Sequence, residues 1–244
     1  MRVPRIHLPQ PLAAGAAIEL TAAAAGHVAR VLRLKPGDPL VLFNGEGGEY
    51  SAHVEDAGRG RTVVRVGEFA ARESESPLSI TLAQAISRGE RMDYTIQKAV
   101  ELGVRAIVPL ITERTVVQLK GERREKRRTH WQRVAASACE QCGRNRVPHV
   151  ESPVQLTAWL AQLDGQLTGL LLDPDADAGM RRLQTAQSAF ALLSGPEGGF
   201  SEQEVAAARR AGFIGVRLGP RVLRTETAAV AALASLQALW GDYR

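Results

Sequence analysis

In the stretch LLSGPEGGFSEQEV, Leu192–Val205, an apolar run gives way to a proline and three glycines, and a helix start follows at once. Ser201, followed three residues on by Glu204, is the capping-box pattern. In it a hydroxyl and a carboxylate satisfy two of the amide groups exposed at a helix start. The run AFALL, Ala189–Leu193, supplies a strand before the turn. Strand, glycine turn and helix are the repeating parts of an α/β sheet, whose ligands bind outside the carboxyl ends of the strands. Gly195, Gly198 and Gly199 carry no Cβ and tolerate positive φ, so backbone amides here are free to approach a ligand. A purely structural turn is the alternative reading. The loop lacks the Lys-Ser/Thr ending of a P-loop and the spacing of a dinucleotide fingerprint, and NGEGGEY, Asn44–Tyr50, fails that fingerprint as well.

Outward from this loop, strand-like and helical patterns alternate. LSITLAQAIS, VRAIVPLI, TGLLLD and SAFALLS read as strands, with helices expected around Met92–Leu102 and Lys126–Gln141. Alternation of this kind predicts an α/β fold with a parallel sheet and crossover helices. The polar segment ARESESP, Ala71–Pro77, marks a boundary. Before it, three short strands separated by NGEGG and DAGRGR form a small β-rich domain, with alternation clearest at Tyr50, Ala52 and Val54. The expected organisation is therefore residues 1–72 and residues 73–244.

Composition limits the function classes. The chain has 244 residues, 45% of them hydrophobic, and a net charge of +5, which favours a polyanionic partner. The opening MRVPRIHLPQ has no apolar signal core, and Ser235 and Gln237 break the longest apolar run short of a membrane span. A cytoplasmic protein is expected. Two cysteines exclude a disulfide framework. Cys139 and Cys142 form a C-x-x-C without a second pair, and they read as small residues near a helix end. No His/Cys/Asp/Glu set has metal-ligand spacing.

A second loop repeats the logic of the first: GVRLGPRVLRTETAAVAALASLQALW passes from strand through Gly219–Pro220 to an alanine-rich helix starting near Thr225. Together SGPEGGFS, LGPRVLRTETAA, QKAVELGV and ACEQCGRNRVP resemble the bacterial 16S ribosomal RNA uridine N3-methyltransferases of the SPOUT superfamily. RVPRIHLPQPL and HVARVLRLKPGD extend that resemblance to the N-terminus. It implies a C-terminal SPOUT-type parallel sheet with a trefoil knot, and an N-terminal PUA-like barrel that binds RNA. It also implies S-adenosylmethionine as cofactor, 16S ribosomal RNA within the small subunit as partner, and a homodimer. The cofactor residues carried over are Leu172, Gly195, Pro196, Glu197, Gly198, Gly199, Leu218, Gly219, Leu223 and Thr225. Glu140, Gln141 and Arg144 recur in the family, with no contact assigned to them by the sequence.

The chemistry follows from uridine. Its N3 carries a proton and is a poor nucleophile, so methylation requires loss of that proton while charge spreads onto the flanking carbonyl oxygens. Arg224 is the expected stabiliser of that charge. Glu226 is expected to orient the arginine, with a role as base ranked second. Carboxylates in a first helical turn are also favourable for purely structural reasons, and Glu197 is open to the same account. Arg2, Arg5, Arg30 and Arg33 are the expected RNA contacts, reaching phosphates. The run KGERREKRRTHWQR, Lys120–Arg133, reads as a solvated helix face, because Glu122 and Glu125 support i, i+4 pairing. A noncatalytic RNA-binding module and a nucleotide-phosphate enzyme are the rival functions.

Overall fold

The structure, a computed structural model, describes residues 3–58, 61–115, 121–163, 167–183 and 187–243. Arg2 and Lys120 lie outside the described residues. The chain forms two compact units: Met1–Glu75 with Cys139–Val147, and Ser76–Ala138 with Pro148–Arg244. The first unit is thus discontinuous in sequence.

In the first unit, β1 (Arg5–His7), β2 (Ala17–Glu19), β3 (Pro39–Phe43), β4 (Glu49–Gly58) and β5 (Arg61–Ala70) form one sheet in the order β1-β3-β4-β5-β2. Ala52 and Val54 are buried while Ser51, His53 and Glu55 are exposed, the period-2 pattern of a strand with one face in the core. Leu40, Leu42, Val64 and Val66 complete that core with Ala25 and Val28. Ala25 belongs to α1 (Ala22–Gly26), and Val28 to the π-helical turn His27–Val31 that follows it. β3, β4 and β5 are the three strands expected around NGEGG and DAGRGR, and β1 and β2, earlier in the chain, add two that the sequence did not mark. β1 and β2 have three residues each and stand beside prolines or alanines, so neither shows a readable alternation.

The second unit is built on β6 (Ser79–Ala85), β7 (Ala106–Ile111), β8 (His149–Val150), β9 (Val154–Gln155), β10 (Thr168–Leu172), β11 (Ala189–Ser194) and β12 (Ile214–Val216). Their order is β12-β10-β11-β6-β7-β8, with β9 also on β7, and every pairing is parallel. The helices are α2 (Arg91–Glu101), α3 (Glu122–Cys142), α4 (Leu156–Leu160), α5 (Glu202–Arg210) and α6 (Thr225–Trp240). Parallel sheets need cover on both faces. On one face Ala83, Val108, Leu171, Ala191 and Leu193 pack with Trp159 of α4, Ala208 of α5 and Phe213. Phe190 alternates to the opposite face and stacks on Trp240 of α6, ring centroids 5.7 Å apart.

Local signals behave as expected where they are local. Ser201 caps α5: its hydroxyl accepts from Glu204 N, and Glu204 Oε2 accepts from Ser201 N at 2.9 Å. On α3, Lys126 pairs with Glu122 at 3.3 Å and Arg128 with Glu125 at 2.6 Å along an exposed face. Among the described residues no helix is long and apolar enough to cross a membrane.

Candidate functional site

Three parallel strands fix the position of the site. Leu171 of β10 stands opposite Leu193 of β11, and Leu172 opposite Val216 of β12. Their carboxyl ends therefore finish level on one sheet edge, and the segments leaving them bound one cavity. Leu172, Gly195, Gly199, Leu218, Gly219, Leu223 and Thr225 line it, with Val216 and Ala228 adding apolar wall. Pro196, Glu197 and Gly198 share the glycine loop without lining that cavity. A second cavity shares Leu172, Gly195 and Gly199 and continues past Phe200 to Arg209 on α5.

The glycines of the loop divide into two kinds. Gly199 has φ +70°, a conformation that side chains other than glycine's rarely adopt, and a Cβ there would meet nothing within 4 Å. Gly219, across the cavity, has φ +81° and comparable open space. Gly195 and Gly198 do not use the positive φ open to them. Their missing Cβ serves packing instead, since one on Gly195 would meet the Phe200 ring at 3.1 Å and one on Gly198 the Arg114 side chain at 3.3 Å. Among the described residues the amides of Leu218, Gly219 and Leu223 donate to no protein group, so the cavity wall carries unpaired backbone donors.

The glycine loop is bound to the head of α6. Thr225 Oγ1 donates to Gly195 O at 2.5 Å and accepts from Gln84 Nε2 at 2.9 Å. Both side chains are buried, and Gln84 Oε1 has no partner among the described residues. Arg224 is the cap residue before α6. It is exposed, and its guanidinium forms no ion pair among the described residues. Glu226, in the first turn, has a side chain only 15% exposed.

Glu197 and Glu226 converge on a residue not singled out in the sequence. Arg91, at the start of α2, donates through Nη1 to Glu197 Oε1 at 2.8 Å, and its Nε lies 4.0 Å from Glu226 Oε1. Burial alone would raise the Glu197 carboxyl, but hydrogen bonds from its own backbone and from Arg88 N, with the Arg91 charge, hold it below the usual carboxylate range. Arg114 Nη1 donates to Gly198 O at 2.8 Å and fixes the far side of the loop. No sequence pattern marks Arg91 or Arg114, because they meet the loop from 106 and 84 positions away.

The basic residues of the first unit separate sharply. Arg30 and Arg33 are exposed at the π-helical turn, and among the described residues neither forms an ion pair. Arg33 has φ +57°, the one non-glycine residue there in the left-handed region. Arg5 departs from the expected phosphate contact. Its side chain is 4% exposed, pairs with Glu49 at 2.5 Å, bonds to Asn145 Oδ1 and lies over the Phe43 ring. Those bonds use the guanidinium within the fold.

The same network explains the ACEQCGRNRVP motif. Glu140 Oε1 accepts from His7 N at 2.9 Å, Arg144 pairs with Glu75 at 2.6 Å, and Asn145 Nδ2 donates to Arg72 O at 2.6 Å. Val147 N donates to Gly45 O at 3.2 Å. Cys139 and Cys142 are thiols and not joined in a disulfide. The bond to Cys142 and then burial push the Cys139 thiol upward, the opposite of a reactive thiolate.

Comparison with known proteins matches this geometry to a family. The RNA methyltransferase domain matches residues 74–237 and the RNA methyltransferase PUA domain residues 20–66. The chain is 35% identical over 241 residues to ribosomal RNA small subunit methyltransferase E of Buchnera aphidicola, spanning 99% of this chain and 98% of that protein. A solved structure of the same-named protein from Neisseria gonorrhoeae, bound to S-adenosyl methionine, is 41% identical with TM-score 0.95, and all of both chains is covered. A methyltransferase structure from Legionella pneumophila in complex with the same cofactor is 43% identical with TM-score 0.95, covering 99% of this chain and 100% of that one. The chain therefore belongs to the ribosomal RNA small subunit methyltransferase E family, an RNA methyltransferase domain joined to a PUA domain.

Proposed function

We propose that this chain is an S-adenosylmethionine-dependent methyltransferase that modifies N3 of a uridine in 16S ribosomal RNA of the small subunit. The observation that carries the reading is the cavity at the level carboxyl ends of β10, β11 and β12, in a chain more than 40% identical along its length to structures bound to that cofactor. The residues present fit the group. Leu172, Val216, Leu218 and Leu223 offer apolar wall to an adenine ring, the open cradles at Gly199 and Gly219 admit a close ligand, and the unpaired amides of the second loop suit its ring nitrogens.

When bound, the cofactor supplies an electrophilic methyl group on a sulfonium. The remaining work belongs to the chain. Arg224, exposed at the cap of α6 and without an ion pair among the described residues, stabilises the charge that spreads onto the uracil carbonyl oxygens when N3 loses its proton; its exposure and its unpaired guanidinium support that role. Glu226 orients that arrangement, and its buried Oε2, which has no partner among the described residues, is an acceptor for a donor arriving with substrate. Arg30 and Arg33 pair with RNA phosphates.

The fold expectations drawn from the family belong to the same proposal. These are a PUA-like barrel in the first unit, which departs from the expected 1–72 by running to Glu75 and taking in Cys139–Val147, a SPOUT domain in the second whose C-terminus is knotted, a two-fold dimer and a cytoplasmic location. α6 supports the dimer, because small or apolar residues surround most of its circumference. A test of the function is binding: calorimetry should give one site for S-adenosylmethionine and none for ATP or NAD. Preference for ATP would favour the nucleotide-phosphate reading, and silence toward all three the noncatalytic one.

A further inference from the structure

Arg91 holds two carboxylates that belong to different segments of the site, the glycine loop and the first turn of α6. Its Nη1 is hydrogen-bonded to Glu197 Oε1, and its Nε faces Glu226 Oε1 at 4.0 Å. The glycine loop and the head of α6 are separately tied through Thr225 and Gly195. The polar contact of Arg91 is thus a second tie between the same two segments, and it reaches the carboxylates themselves. Glu226 presents one oxygen to Arg91 and leaves the other buried with no donor among the described residues. A buried carboxylate oxygen without a donor is unfavourable in a resting fold, and buried polar groups left open concentrate where a ligand completes them. The planar guanidinium presents several donors in a fixed fork, so it sets the direction of both carboxylates where a single point charge would set only one.

We infer that Arg91 is a positioning residue: by bridging Glu197 and Glu226 it turns Glu226 Oε2 toward the N3–H of the target uracil. The inference rests on the methyltransferase reading. In this role Arg91 acts through Glu226 and not directly on the reacting atoms. Removing it therefore disorients a group needed in the transition state, while the cofactor cavity, which Arg91 does not line, is retained.

The test is a double-mutant cycle of Arg91→Met and Glu226→Gln. It is read as single-turnover methyl transfer from labelled S-adenosylmethionine to small-subunit RNA at saturating RNA, with cofactor affinity measured by calorimetry. Arg91→Met is expected to slow transfer at least tenfold with cofactor affinity within twofold of wild type. Adding Glu226→Gln to it should slow transfer much less than Glu226→Gln does alone. Arg91→Lys should recover part of the rate, and it substitutes for Arg91→Met if that protein fails to fold. Rates that multiply fully across the cycle, an unchanged rate in the Arg91 variants, or a rate loss explained by lost cofactor affinity would each overturn the inference. An inactive wild-type protein would instead overturn the methyltransferase reading itself.

Discussion

Thr225 Oγ1 donates to the carbonyl of Gly195 at 2.5 Å, so the first residue of α6 is bonded to the first glycine of a loop thirty positions earlier. The same hydroxyl accepts from Gln84. Thr225→Val keeps the shape and removes both bonds, leaving Gly195 O and the Gln84 amide without this partner. A buried polar group left unpaired costs about 1–3 kcal/mol. We predict a loss of that size in denaturant unfolding, with weaker cofactor binding by calorimetry. Unchanged affinity would mean that the tie is not needed to shape the cavity.

Gly199 and Gly198 are neighbours with different duties, and their substitution separates them. Gly199→Val forces a β-branched residue to φ +70° beside open cavity space, and cofactor affinity should fall at least tenfold. Gly198→Val meets Arg114 and not the cavity, so its effect should be smaller and should resemble that of Arg114→Ala. Equal losses at the two positions would contradict this division.

The ion pair inside the first unit makes it acid-sensitive. Burial would raise the Glu49 carboxyl, but the hydrogen bond and charge of Arg5, with Asn145 and Arg72, hold it below the ordinary 4.5. A lowered carboxyl contributes stability above its unfolded value, and that stability is lost as pH falls through the folded one. Burial also lowers His7 from 6.5, despite its bond to Asn44 O, so the unfolded chain takes up that proton first. These two effects point the same way, and the Glu140 carboxyl, which burial pushes up, opposes them in the acid range; the first unit should lose stability as pH drops below about 6, and the Glu49 contribution should be lost below about 4.5. Glu49→Gln should flatten the lower limb, as followed by thermal unfolding across pH. Arg5→Met, which leaves the buried Glu49 carboxylate only the more exposed Arg72 at 3.4 Å, should destabilise the first unit at neutral pH, by at most about 3–5 kcal/mol.

Arg224 and the Arg30–Arg33 pair should separate chemistry from recognition. Arg224→Ala should slow transfer at saturating RNA and cofactor with little change in binding, because the interaction is strongest in the transition state. Arg30→Ala and Arg33→Ala should weaken RNA binding and reduce its salt slope by about one unit per phosphate contact, leaving the saturated rate intact. Filter binding at several salt concentrations, paired with single-turnover assays, checks both.

What the sequence made legible was local or periodic. The capping box at Ser201 and Glu204 lies within one turn, and β6, β7, β10 and β11 are apolar runs long enough to recognise, whereas β8 and β9, two residues each, leave no pattern. The site was legible through its two glycine-bearing loops. Contacts distant in the chain were not. Arg91 reaches Glu197 across 106 positions, and Arg5 reads as a surface cation until Glu49, Asn145 and Phe43 surround it. The ACEQCGRNRVP segment likewise shows its work only when His7, Arg72 and Glu75 are beside it, since the bonds it makes span 69 to 140 positions.

The most direct test of the account is mass spectrometry of small-subunit ribosomal RNA incubated with the purified protein and S-adenosylmethionine. Methylation of N3 removes the imino proton that uracil uses in base pairing, so the product should also stop reverse transcription. The account predicts one added methyl group on a single uracil, with a reverse-transcription stop beside it, and both signals appearing more slowly with the Arg224→Ala protein under single-turnover conditions. A methyl group on a ribose, or no methyl incorporation by a protein that binds the cofactor, would contradict it.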